Sequence, residues 1–239
     1  MLAWLNARRT MGVRDALNPA FWYRRWQGFD LYDPVQRILY HGNRRLREVA
    51  LTIDDGPYAE TGPQLLDLLQ HHSVRATFFV VGDRIKMQPE QIVRMLAEGH
   101  EVANHSMTHQ HRLDTLPAKN VRNELQYCDV NFQRVTGRSF SLMRPPGVRY
   151  NDTVLAVARE LGYTTVSYTT GARDYDNVPA DFIVDRIVRR TENGSILLLH
   201  DGNPATVEAL PRILTALKRE GYRFVTVSEM IGRLPVSAR

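Results

Sequence analysis

Val49-Ala50-Leu51-Thr52-Ile53-Asp54-Asp55-Gly56-Pro57 is the stretch from which the fold can be read. An aliphatic, β-branched run meets two adjacent carboxylates, and a Gly-Pro turn follows at once. A short apolar run bounded by turn residues predicts a buried strand. The acids then sit at the strand's C-terminal end, where α/β folds place their chemistry. Successive strand residues point to opposite sides. Two acids in a row can therefore take two tasks, one holding a metal and the other moving a proton. A solvated Asp-Asp-Gly-Pro turn also accounts for these residues, so other stretches must decide.

Outward from this strand the chain alternates. Strands are expected at 49–54, 76–81, 101–104, 140–144, 164–169, 195–200 and 223–227. Helices are expected at about 62–72, 89–98, 117–135, 152–161, 179–192, 204–220 and 228–234. Pro63 falls in a first turn, and Gly99, Gly137, Gly162, Gly194 and Gly221 serve as stops. Seven strand–helix units in a row predict a parallel sheet with crossover helices. The expected fold is α/β, a distorted, incomplete TIM-like (β/α)7 barrel, with an open doubly wound sheet as the alternative. No repeat or low-complexity linker divides the body.

The composition bounds the function. The chain has 239 residues, 43% of them hydrophobic, enough for one large domain. It has no run of 18 apolar residues, so no transmembrane helix is expected. The first nine residues lack the apolar core and cleavage site of a signal peptide, which leaves the compartment open. The single cysteine, Cys128, excludes an internal disulfide framework and an all-cysteine metal site. Charge is uneven: residues 1–47 carry nine arginines against three aspartates, whereas the net charge of the whole is +5. Trp4, Trp22 and Trp26 fall in the same stretch. The chain therefore divides into a basic, aromatic-rich N-terminal arm, 1–47, and a near-neutral body, 48–239. The arm suits an anionic polymer or membrane surface, or its aromatics pack on the body. No nucleic-acid-binding motif accompanies it.

Further polar residues close other predicted strands. His105 and His109, in Asn104-His105-Ser106-Met107-Thr108-His109, are four apart and reach one point if the segment makes a helical turn. With one carboxylate they form a two-histidine, one-carboxylate set for a zinc-like ion; two surface histidines in a polar loop would look the same. Arg144 in Arg144-Pro145-Pro146 can orient a carboxylate or pair at a barrel rim. Asp174-Tyr175 follows strand 164–169. Leu197-Leu198-Leu199-His200-Asp201-Gly202 delivers His200 at a strand end. The convergence of five strand ends on one face is more specific than any one motif.

At this point the chain resembles the NodB-homology polysaccharide deacetylases, carbohydrate esterase family 4, over about residues 48–234. Thr52-Ile53-Asp54-Asp55-Gly56-Pro57 resembles the family's T-F-D-D-G-P, and His105 to His109 its H-[ST]-x-x-H. Arg144-Pro145-Pro146 resembles R-P-P-Y, Asp174-Tyr175 the end of D-x-x-D-W, and Leu198-Leu199-His200 the end of L-x-L-x-H. The resemblance implies that Asp55, His105 and His109 bind a divalent metal, commonly zinc, with cobalt, nickel or manganese as alternatives. It implies that Asp54 is the general base, oriented by Arg144. His200 would protonate the leaving amine, tuned by Asp174. The Gly147 N–H would stabilise the oxyanion, and Leu198 would line the acetyl pocket. The expected reaction is metal-dependent removal of N-acetyl groups from N-acetylglucosamine-containing glycans, chitin-like oligomers or peptidoglycan, at the cell envelope.

Three departures fall on the substrate side. Gly147 stands where tyrosine is usual, with Tyr150 near enough to fill part of the gap. Gly171 stands where the first aspartate of the fourth motif would be, and Tyr175 replaces tryptophan. They leave open another acyl group or a non-sugar amide. A glycan-binding barrel without catalysis is the reading from a different class, and the set Asp54, Asp55, His105, His109 and His200 argues against it.

Overall fold

The computed structural model describes residues 31–235. The strands are β1 (Tyr32–Asp33), β2 (Ile38–Leu39), β3 (Glu48–Asp54), β4 (Thr77–Val80), β5 (Glu101–Asn104), β6 (Leu142–Met143), β7 (Thr164–Val166), β8 (Thr170–Gly171), β9 (Ser195–His200) and β10 (Arg223–Val225). The helices are α1 (Thr61–His71), α2 (Gly82–Met87), α3 (Pro89–Ala97), α4 (Ala118–Thr136), α5 (Asp152–Glu160), α6 (Ala180–Arg190), α7 (Pro204–Arg219) and α8 (Val227–Gly232). All seven expected strands are present in the expected order. The strand expected at 140–144 shortens to two residues, and the one at 164–169 is divided between β7 and β8.

The sheet runs β1-β2-β7-β6-β5-β4-β3-β9-β8, and β10 also pairs with β3. Every pairing is parallel except β1 with β2. The consecutive pieces β7 and β8 bind opposite ends of the series, β6 and β9. That single stretch curls the sheet into an incomplete barrel, as the unit count predicts. β3 pairs with β9 over residues 49–54 and gives its other edge to β10 first and β4 second.

The period of two along the strands sorts the core into two layers. Val49, Leu51, Ile53, Phe78, Val80, Leu197 and Leu199 pack in the large cluster with the helices. Ala50, Phe79, Ala103, Leu142, Val166 and Ile196 form a second cluster inside the curl. Thr52 and Asp54 continue the inner face of β3, so the second layer leads directly to the first acid.

Residues 31–47 of the stretch read as an arm contribute to this sheet. β2 pairs with β7, and its Ile38 and Leu39 are buried. Residues 1–30, including the three tryptophans and five of the nine arginines, lie outside the described residues. α2 is an element the periodicity did not predict. Its first N–H groups, from Gly82 and Asp83, donate to the carbonyls of Ser106 and Met107, so it is held by the loop that carries the histidines. Among the described residues no helix is long and apolar enough to cross a membrane.

Candidate active site

The C-terminal ends of β3, β5, β6 and β9 bring their polar residues together. Asp54 is the last residue of β3 and is 2% exposed. Arg144, just past β6, is fully buried and donates from Nη1 to Asp54 Oδ1 at 2.7 Å. The same nitrogen donates to Thr52 Oγ1, while Nε and Nη2 donate to the carbonyls of Val166 and Ser167. The guanidinium lies over the Phe79 ring, 4.2 Å from its centroid. Burial pulls the Arg144 pKa below its ordinary value, and the Asp54 charge opposes that pull. A buried guanidinium with this many acceptors fixes the position of its carboxylate.

Asp55 leaves the strand in a left-handed conformation, φ 74°. Strand alternation therefore does not send the two acids to opposite sides. The turn at Asp55 brings both to one imidazole: His105 Nε2 is 3.2 Å from Asp55 Oδ1 and 3.8 Å from Asp54 Oδ2. Gly56 is required next, because a Cβ there would lie 2.6 Å from Asp201 Oδ2. Asp201 accepts from the Thr61 hydroxyl and from the N–H groups of Tyr58 and Gly202, tying the loop after the acids to the end of β9.

His105 and His109 do converge, but not on a helical turn. Ser106 and His109 are left-handed, with φ of 66° and 59°. Side chains shape this loop instead. Asn104 Oδ1 accepts from Ser106 N–H, Ser106 Oγ accepts from His109 N–H, and the Glu124 carboxylate on α4 accepts from Met107 N–H, Thr108 N–H and the Thr108 hydroxyl.

Asp55, His105 and His109 offer three ligand atoms within 4.8 Å of one another. Asp55 Oδ1 is 2.9 Å from His109 Nε2 and is buried without an aligned hydrogen-bond donor among the described residues. Ligands 2.0–2.1 Å from a tetrahedral ion stand roughly 3.3 Å apart, so the spacing fits one. His105 Nδ1 donates to the Arg144 carbonyl at 2.7 Å, which leaves Nε2 as a lone pair aimed at the pocket. Burial pushes the Asp55 carboxyl up, but the two imidazoles beside it outweigh that push and hold the group well below the usual carboxylate range. The donor set therefore fits a divalent ion of the zinc type.

His200 closes β9. Its ring Nδ1 meets Asp174 Oδ1 at 2.7 Å, and its backbone N–H donates to Asp174 Oδ2 at 2.7 Å. Asp174 is fully buried and also accepts from the Thr206 hydroxyl. Burial alone would lower the His200 pKa. The hydrogen bond and charge of Asp174, with smaller contributions from Asp54 and Asp55, raise it to about 9.

The substrate-side residues differ in placement. Leu198 is buried. Tyr175 is 63% exposed, and its ring stands edge-on to His200 at 5.4 Å between centroids. Gly147 is left-handed, φ 62°, and its N–H makes no hydrogen bond among the described residues. Tyr150 does not occupy the space beside it. That ring packs on the helix-side core, and its hydroxyl meets Tyr40. The Arg149 side chain lies against Gly147 instead. The position of Gly171 is explained by packing, since a Cβ there would press on the Tyr168 ring at 3.1 Å. Asp201, Glu124, Thr52 and Thr206 were not foreseen as part of the site. Thr52 falls within the first motif without its role being read, and the others act through partners distant in sequence.

The family model described as polysaccharide deacetylase matches residues 41–166. The chain belongs to the polysaccharide deacetylase family. A peptidoglycan-N-acetylglucosamine deacetylase of Bacillus cereus is 40% identical over 204 residues, covering 83% of this chain and 95% of that protein. Among solved structures, the Bc1960 peptidoglycan N-acetylglucosamine deacetylase, bound to an N-hydroxybenzamide, aligns with a TM-score of 0.78 at 31% identity, over 81% of this chain and 92% of that one. A family pseudoenzyme of Bacillus anthracis, BA3943, aligns with the same TM-score at 29% identity, over 83% of this chain and 70% of that one. Membership of the polysaccharide deacetylase family thus fixes the fold, while competence for catalysis has to be argued from the residues.

Proposed function

We propose that this chain is a metal-dependent N-deacetylase of N-acetylglucosamine-containing glycans, peptidoglycan or chitin-like oligomers, acting at the cell envelope. The observation that carries the reading is the separation of tasks at one barrel end. A ligand triad, an arginine-held carboxylate and an aspartate-held imidazole are all present and distinct. The 40% identity to a peptidoglycan-N-acetylglucosamine deacetylase supports the substrate class.

Asp55, His105 and His109 would hold the ion. When bound, a divalent ion polarises an amide carbonyl and lowers the pKa of a coordinated water from 15.7 toward about 7. Asp54, oriented by Arg144, takes the proton from the water that attacks the acetamido carbon. The Gly147 N–H faces the developing oxyanion. His200, with a pKa raised to about 9, is charged at neutral pH and gives its proton to the amide nitrogen as the carbon–nitrogen bond breaks. The products are acetate and the free amine. Asp174 keeps the imidazole oriented and charged. Leu198 and Tyr175 flank the acetyl group and the ring.

The test is acetate release from N-acetylglucosamine oligomers and from peptidoglycan, with zinc, cobalt, nickel or manganese supplied in turn. Release that depends on the ion and disappears in Asp54→Asn is expected. Release from neither substrate with any ion would overturn the proposal.

A further inference from the structure

Loss of the usual side chain at position 147 does not leave the rim empty. A Cβ at Gly147 would lie 3.7–3.8 Å from Cγ, Cδ and Nε of Arg149. The arginine therefore covers the ground where a side chain at 147 would begin. Arg149 is exposed and has no carboxylate partner among the described residues. A second nitrogen-bearing side chain stands across the same edge. His111 is exposed, and its ring packs edge-on against the metal-site ring of His109, with centroids 4.5 Å apart. The two loops are joined, since Asn151 Nδ2 donates to the Asp114 carbonyl at 2.8 Å. The nearby acid on the histidine loop, Asp114, has its carboxylate 3.3 Å from Arg112 Nε, so it does not neutralise Arg149. Arg149 and His111 also lie within each other's electrostatic reach and that of Asp55.

We infer that Arg149, flanked by the His111 ring, forms an anion-binding subsite beside the metal-ligand triad, which selects glycans bearing a carboxylate on the sugar next to the acetamido ring being hydrolysed. This inference rests on the deacetylase reading for its substrate class. A guanidinium offers a carboxylate paired donors. An aromatic wall would favour a neutral ring face instead. Two carbohydrate sources carry the required group, the lactyl ether of a muramyl residue and the ring carboxylate of a uronic acid. The preference should be weakened by salt, because the Arg149 guanidinium is exposed.

The experiment measures equilibrium binding to the full chain carrying Asp54→Asn, which holds turnover down. The probes are three disaccharides: N-acetylglucosamine with N-acetylglucosamine, with N-acetylmuramic acid, and with glucuronic acid. At low salt at least one carboxylated probe should bind about tenfold more tightly than the neutral one. Adding Arg149→Gln should erase that ratio, and Arg149→Lys should keep part of it. Which acid probe is preferred identifies the source of the carboxylate. Equal affinity for all three, or a preference that survives Arg149→Gln, would overturn the subsite. Acetate release by the parent chain is measured separately. A carboxylate preference without acetate release would refute the deacetylase reading and leave the subsite standing.

Discussion

Asp174 holds His200 at two points, the ring Nδ1 and the backbone N–H, each at 2.7 Å. The imidazole is thus fixed in place by the same carboxylate that keeps it charged. Its folded pKa, about 9, lies above the ordinary value near 6.5. The charged pair is therefore worth most below pH 6.5, and its contribution is lost as pH rises through about 9. The gap corresponds to on the order of 3 kcal/mol. In chelator-treated protein, Asp174→Asn should lower the melting temperature near pH 6 and have little effect near pH 10. The alkaline limb of the rate profile should shift to lower pH in the variant. A limb that stays in place would show that His200 is not the acid.

Arg144 and Asp54 are both buried, so neither charge can be removed alone without cost. Arg144→Met should destabilise by about 3–5 kcal/mol by leaving Asp54 unpaired. Asp54→Asn with Arg144→Met should recover part of that loss, which denaturant unfolding would measure. Asp54→Asn alone should retain the ion and lose on the order of 10²–10⁴ in rate. Equal rates for parent and variant would remove Asp54 from the proton-transfer step.

The ion should be bound at about one per chain. His105→Ala and Asp55→Asn should each lose most of it, as read by elemental analysis of dialysed protein. Glu124→Gln tests the loop rather than the ligands. The amide can still accept hydrogen bonds but is a weaker acceptor than the carboxylate, so metal affinity should fall by less than in His105→Ala. Full metal content in all three variants would refute the assignment.

Part of the N-terminal stretch, β1 and β2, is built into the sheet. Deleting residues 1–40 removes β2, whose Ile38 and Leu39 are buried and worth roughly 1.5–3 kcal/mol each. A cut after residue 30 spares them. The longer deletion should melt at a clearly lower temperature than the shorter. If the arginines and tryptophans of residues 1–30 serve an anionic surface, the shorter deletion should keep the melting temperature of the parent and lose binding to vesicles containing anionic lipid. Unchanged vesicle binding would refute that role.

The barrel was legible because alternation of apolar runs and helix stops is a local signal repeated seven times. The candidate ligands Asp55 and His105 and the imidazole of His200 were legible because they stand at or just past strand ends, and His109 because it follows His105 by four residues. What the sequence concealed was set by the backbone between motifs. The left-handed turn at Asp55 and the non-helical loop from His105 to His109 reverse the simple strand and helix geometry, yet they bring the same atoms together. Their determinants, Glu124 on α4 and Asp201 in the turn after β9, are distant in sequence and have no periodicity of their own. The strand expected at 164–169 is split because its two halves serve different neighbours, a tertiary demand that propensity does not encode. The space beside Gly147 could not be assigned from the sequence, since Tyr150 and Arg149 were both near enough to reach it.

β3 has both edges occupied, by β9 on one side and by β10 and β4 on the other. Its amides should therefore exchange with solvent hydrogen only when the whole domain opens. The loop from Ser106 to His111 is held largely by side-chain contacts, many of them to Glu124. It should exchange far sooner, through a small local opening. One of the three proposed ligands, Asp55, thus directly follows the slowest-exchanging strand, and the two histidines border or belong to the faster loop. Release and reloading of the ion should accordingly be rapid under conditions in which the domain as a whole never unfolds.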